Sequence, residues 1–406
     1  MNNSSGTATK AKLWTFVFVR IGIVTALSGV CRQMFMSAFP QYLQMQGFTP
    51  TQMGLVASGY TVFAMMTRVL SGNLIDTRGR RVMLMIGLIL FGTPIVGFMV
   101  SGSIAVIVAC RFLQGMGASL ASISTGTMAP DVLPKERMAE GIGYYGLFNS
   151  MATAVGPAVG IGFLIDGRPD IFFLFGLSMI VIAFPISATL NYEKKEKAMG
   201  IVHTRETQPT DPNTGFIWRF LDKKALPAAA IMALISFSTT AITNFLSPYA
   251  VTIGLTDIGA FFTVQALFMI VARVSSNRIS QRIGIFRTIV LGFALDIIAL
   301  VLLGSMTNDI MMFTAAAIRG LGGGICMPLL NVLAVRRASR SERGKATSTY
   351  YAAFDVGSGL GAAFWGFTAD YLGGYRTVYY GSALFYIITF MASLKLIGKS
   401  EGEDKK

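Results

Sequence analysis

Gly72-Asn73-Leu74-Ile75-Asp76-Thr77-Arg78-Gly79-Arg80-Arg81 is a polar interruption between two apolar runs, residues 53–71 and 82–100. Each run is about long enough to cross a ~30 Å hydrocarbon core as a helix rising 1.5 Å per residue. A connection this short makes the two helices antiparallel neighbours. Arg78, Arg80 and Arg81 cluster where the turn meets the headgroups, which assigns the turn to the cytoplasmic side. Gly72 permits close helix approach, and Gly79 permits the backbone conformation of a tight turn. Asp76 is the one acid among those arginines, so an ion pair at the turn is expected.

The whole chain is built of such runs. Its 406 residues are 53% hydrophobic and only 13% charged, with a mean hydropathy of +0.59, the balance of a chain that lives in a bilayer. A net charge of +14 would suit a nucleic-acid binder, but position decides otherwise. The basic residues gather in alternate connections. Only Arg168 and Arg376 fall in the other set, and Arg20, Arg32, Arg68, Arg111, Arg273 and Arg319 lie inside runs. That asymmetry is the positive-inside pattern, and it needs no nucleic acid to explain it. Cys31, Cys110 and Cys326 all sit in apolar runs, so no disulfide framework is implied. The sole histidine, His203, lies in a polar segment. This removes most metal, triad and histidine acid–base schemes in one step, so no cofactor, no metal and no enzyme activity are expected. Residues 1–12 are polar, and the first run is too long for a removable signal peptide.

Apolar windows predict twelve spans, about 14–40, 53–74, 82–101, 103–129, 139–165, 171–190, 226–249, 257–277, 288–305, 310–335, 346–369 and 376–397. Both termini then face the cytoplasm. The organisation is an N-terminal six-helix bundle (1–190), a cytoplasmic linker (191–224) and a C-terminal six-helix bundle (225–406). Trp218 and Phe220 mark a short interfacial helix within the linker. The halves repeat one another at a nearly constant offset. Arg68-Val69 matches Arg273-Val274, Gly79 matches Gly284, and Glu136-Arg137 matches Glu342-Arg343. Tyr144-Tyr145 matches Tyr350-Tyr351, and the pattern Arg111-x-x-x-Gly115 matches Arg319-x-x-x-Gly323. In the second copy of the opening stretch, Gln281 replaces Asp76 and Ile285 replaces Arg80, so the ion-pair lock belongs to the first half.

Gly72, Leu74, Asp76, Gly79, Arg80, Arg81 and Leu84 together resemble the signature loop between helices 2 and 3 of the major facilitator superfamily, with Thr77 where a basic residue usually follows the aspartate. Arg111-Phe112-Leu113-Gln114-Gly115-Met116-Gly117 is similar to that family's helix-4 pattern. The segment 152–160, with Gly156-Pro157 at its centre, looks like the element of its proton antiporters, departing from it at Ala152 and Ile161. The resemblance implies an all-α membrane protein of twelve transmembrane helices in two pseudo-symmetric bundles, within the drug:proton antiporter-like branch. It also implies that Asp76, Arg80, Arg81, Gly72, Gly79, Gly156 and Pro157 serve gating, and that spans 1, 4, 7 and 10 line a central cavity.

Charges at membrane depth need a partner, water or a function. Arg32 and Arg111 each lie about 12 Å or more from a span end at 1.5 Å per residue, and Arg319 is similarly deep. No Asp or Glu lies deep in the first half. A cavity walled by these arginines favours a carboxylate or phosphate, with Gln33, Gln114, Tyr145, Asn149, Asn244 and Tyr351 completing the site. Asp296 and Asp355 carry two open readings: a carboxylate that exchanges the coupling proton, or a structural partner for a nearby arginine.

These observations predict a secondary active transporter of the bacterial cytoplasmic membrane, working as a monomer by alternating access. Its partners are a small anionic or zwitterionic molecule, protons and the lipid bilayer. Proton-coupled export of a carboxylate-bearing solute, such as an opine-type metallophore or an anionic drug, is the leading expectation. Organic-anion uptake or exchange is the alternative, and a transport-dead membrane sensor is the distant one.

Overall fold

The structure, a computed structural model, describes residues 12–191, 222, 225–336 and 343–403. Side chains are described except at 69–77, 135, 139, 277, 331–336, 343–345 and 395–403. Twelve long helices follow in order among these residues: α1 (Phe16–Met45), α2 (Pro50–Arg78), α3 (Arg80–Val100), α4 (Ile104–Asp131), α5 (Met138–Ile165) and α6 (Pro169–Ala188), then α7 (Leu226–Thr252), α8 (Ile258–Ile283), α9 (Ile285–Ser305), α10 (Asp309–Arg336), α11 (Arg343–Tyr371) and α12 (Tyr375–Glu403). A single 3₁₀ turn, Lys135–Arg137, precedes α5. Most of the 191–224 linker, including Trp218 and Phe220, lies outside the described residues.

One expectation needs correction. The stretch 72–78 is not a loop, because α2 runs through it to Arg78 and the chain turns at Gly79 alone. Nothing between Gly72 and Gly79 breaks a helix, so the polar residues simply carry α2 beyond the apolar region. Gly79 turns with φ +91°, and its repeat partner Gly284 with φ +88°, a backbone region that side chains disfavour. The turn thus survives in the second half although the charged residues around it do not. The side chains of Gly72 and Asp76 lie outside the described residues.

The repeat is visible in the packing. In the first half α3 lies on α4, α1 on α5, α2 on α4, α1 on α6 and α3 on α6; each pairing recurs six helices later. Glycines let the helices approach at equivalent seams. Gly117 sits against the backbone of Gly87 and Phe91, and Gly322 against Gly292.

Over the described residues, ten helices are long and apolar enough to cross a membrane. α11 is less apolar because of where it lies. It packs along α2 between the halves, where Ser58 Oγ donates to the Gly359 carbonyl (2.5 Å) and the Thr51 amide to Asp370 (2.8 Å). Only surfaces that touch lipid need to be apolar. The related seam between α5 and α8 carries the equivalent bond, Thr263 Oγ1 to the Ala154 carbonyl (3.3 Å). Between α1 and α7, Ser247 donates to Gln41. All these contacts lie toward the face holding the α1–α2 turn at Gly47, opposite the face that holds Gly79.

Candidate functional site

A central cavity lies between the halves, bounded by α1, α2, α4, α7 and α11. Arg111 forms part of its wall and is only 4% exposed. Its guanidinium donates through Nη1 to Gln114 Oε1 (2.8 Å) and through Nη2 to the Phe35 carbonyl (3.2 Å), and lies 4.0 Å from the centre of the Phe39 ring. Nε has no hydrogen-bond partner, and no carboxylate lies within ion-pair distance among the described residues. The aromatic face and the carbonyl hold the group in place without neutralising it. The opposite wall is polar but uncharged: Thr239, Thr240, Thr243 and Asn244 on α7, with Ser358 on α11.

A second cavity lies within the first half, bounded by α1, α3, α4 and α5 and displaced toward the Gly79 face. Arg32, Tyr145 and Asn149 line it together with the hydroxyls of Thr25, Ser28, Ser122 and Thr125. Tyr145 donates to Thr125 (3.1 Å). Arg32 contacts Met36 Sδ (3.9 Å), and Met36 lines the central cavity, so these two residues stand where the cavities meet.

Three other arginines are paired. Arg68 of α2 donates to Asp355 of α11 at 2.9 Å, across the two halves, and lies 5.9 Å from the Tyr351 ring centre. Arg319 bonds Asp296 at 2.5 Å, buried inside the second half. Arg80 pairs with Asp131 at the Gly79 face, and Arg81 donates to Asn191, which ties α3 to the ends of α4 and α6.

Of the side chains picked from sequence, the central cavity gathers Arg111 and Asn244, with Gln114 bonded behind Arg111. The second cavity gathers Arg32, Tyr145 and Asn149. Gln33 instead donates to Thr153 (2.9 Å), joining α1 to α5, and Gly156 meets the α1 backbone beside Pro157. Tyr351 is 43% exposed beside Arg68. Sequence reasoning missed Tyr60, Asp131 and the threonines of α7. The signal for the last was present: hydroxyls at i, i+1 and i+4 make a polar stripe on an otherwise apolar helix.

The sequence model of the Major Facilitator Superfamily matches residues 21–304 and 228–406. The chain belongs to the Major Facilitator Superfamily. Curated relatives include the staphylopine export protein of Staphylococcus aureus, 25% identical over 86% of this chain and 87% of that one. The quinolone resistance protein NorA of the same organism is 26% identical over 63% of this chain and 62% of its own length. Among solved structures, the nucleoside transporter NupG superposes with a TM-score of 0.77 at 12% identity, covering 94% of this chain and 99% of that one. A bacterial homologue of the human lysosomal transporter Spinster, inward-facing and unoccupied, gives a TM-score of 0.73 at 14% identity, covering 94% and 97%. This superfamily member is a multi-pass membrane transporter of small molecules, not an enzyme.

Proposed function

We propose that the protein exports a small organic solute carrying carboxylate or other anionic groups, in exchange for protons, across the bacterial cytoplasmic membrane. It works as a monomer, with the Gly79 face and both termini on the cytoplasmic side. The observation that carries the charge preference is Arg111: buried, on the cavity wall, and lacking a carboxylate partner among the described residues. Arg32 adds to the excess, and exposed Arg273 lies within electrostatic range of Tyr351, against the single nearby carboxylate of Asp355. Export is supported by the relatives named for staphylopine export and quinolone resistance. The contacts between halves toward the Gly47 face suit a cavity reached from the Gly79 face.

Exchange for protons requires the substrate and the proton to compete for one group. Asp355 is suited to that role and Asp296 less so, because Asp355 lies within electrostatic range of Tyr60 on the cavity wall and bonds across the halves. A substrate amine and a proton cannot both occupy its carboxylate, which makes a zwitterion the natural cargo. The anionic end goes to Arg111. The gating role expected of the Gly79 turn belongs to the same cycle; there Arg80 pairs with Asp131 and Arg81 with Asn191.

Uptake into inside-out vesicles under an imposed proton gradient tests the proposal. Carboxylate-bearing zwitterions are expected to be carried and to compete with one another. Arg111→Lys keeps the charge but loses the planar fork, weakening binding by about 1–3 kcal/mol, and Arg111→Gln weakens it further. Strong inhibition by lipophilic cations with no sensitivity to carboxylates overturns the proposal.

A further inference from the structure

We propose that the two cavities form one site with two cationic poles, Arg111 and Arg32, built for a substrate with two separated carboxylates. This deepens the anionic-cargo reading and rests on it. Three observations carry it. Arg32 lines the first-half cavity, and its guanidinium touches Met36 of the central cavity, so it stands at the junction rather than at lipid. Neither Arg32 nor Arg111 has a carboxylate within ion-pair distance among the described residues, whereas Arg68, Arg80 and Arg319 do. In the first-half cavity Arg32 stands among hydroxyls and the Asn149 amide, groups that complete the hydrogen bonding of a carboxylate; the Asp355 carboxylate is within electrostatic range but beyond ion-pair distance.

The spacing follows from α1. Arg111 is fixed to that helix at the Phe35 carbonyl and over the Phe39 ring, three and seven residues beyond Arg32. At 1.5 Å per residue the poles are about 5–10 Å apart along the axis. Two charges on one molecule then bind as a linked pair, the second engaging at high effective concentration.

The probes are α,ω-dicarboxylates of graded length and the monocarboxylates of equal length, titrated onto the full chain in nanodiscs. A dicarboxylate of intermediate length is expected to bind about tenfold better than its monocarboxylate partner. Arg32→Gln is expected to bring that ratio to about one, with unfolding temperature checked to confirm the fold. Arg32→Glu reverses the pole and should instead favour an ω-amino carboxylate over the dicarboxylate, a gain that misfolding cannot produce. If monocarboxylates bind but no dicarboxylate length gains, or if Arg32→Gln leaves the ratio unchanged, the two-pole site is wrong while the anionic cargo stands. If no carboxylate binds at all, both fail.

Discussion

Arg111 and Arg319 read from sequence as the same residue in two copies, because each begins an Arg-x-x-x-Gly pattern. The packing sets a different register. Gly115 lies on the Tyr60 carbonyl of α2 and Gly320 on the Gln265 carbonyl of α8, so Arg319 stands where Gln114 stands, one helical turn from Arg111. Phe91 occupies the place equivalent to Asp296. The second half has therefore closed an ion pair inside itself, and the first has placed a lone cation on the cavity. That difference was invisible in the pattern, since a helix face repeats nearly every three to four residues and the motif matches at either register. It yields a prediction. Asp296→Asn leaves Arg319 charged and buried, and should cost about 3–5 kcal/mol of stability; Asp296→Asn with Arg319→Met should recover most of it. Thermal unfolding of the purified variants measures this. Equal melting of the single and double variants would show that the pair is not closed in the membrane.

At the level of helices, the sequence was most legible where lipid dictates it. Every window became a helix, and each end that moved by more than two residues moved outward, because polar helix beyond the bilayer carries no hydropathy signal, as at 72–78. Least legible was the seam between α2 and α11, whose residues face protein. There Gly54 lies against the Ala362 carbonyl, and Gly366 against that of Pro50, leaving no room for a Cβ. Gly54→Val should wedge the seam open near Gly47 without disturbing either bundle's own packing. Spin labels at Met45 and Leu372, both exposed, are expected to report a longer and broader distance. Transport should fall at least tenfold at near-normal expression, a loss of ~1.4 kcal/mol or more. An unchanged distance would mean that the seam does not hold this face closed.

Across the whole molecule, the duplication supplies two seams between the halves, and charge makes them unequal. The α2–α11 seam carries Arg68 and Asp355; at the equivalent places on α8 and α5 stand Arg273 and Asn149, with no carboxylate. A duplicated pair of acids would put two carboxylates at these seams, whereas this arrangement has one, Asp355, bonded across the halves. The sequence disclosed both acids but not their partners, because Arg68 and Asp355 lie far apart in the chain and meet where the halves pack together. If Asp355 alternates between a proton and the amine of the substrate, binding a zwitterion must release a proton, since the two ligands are linked through one carboxylate. Purified protein in weakly buffered solution, near the pH at which Asp355 is half protonated, should then acidify its medium on adding substrate. An amine-free carboxylate should release none. Asp355→Asn should release none with either ligand, and should lose gradient-driven transport while still exchanging substrate for substrate. Asp296→Asn combined with Arg319→Met should behave as the parent. Proton uptake on binding would instead mean that the anion and the proton travel together, which excludes exchange and leaves organic-anion cotransport as the cycle.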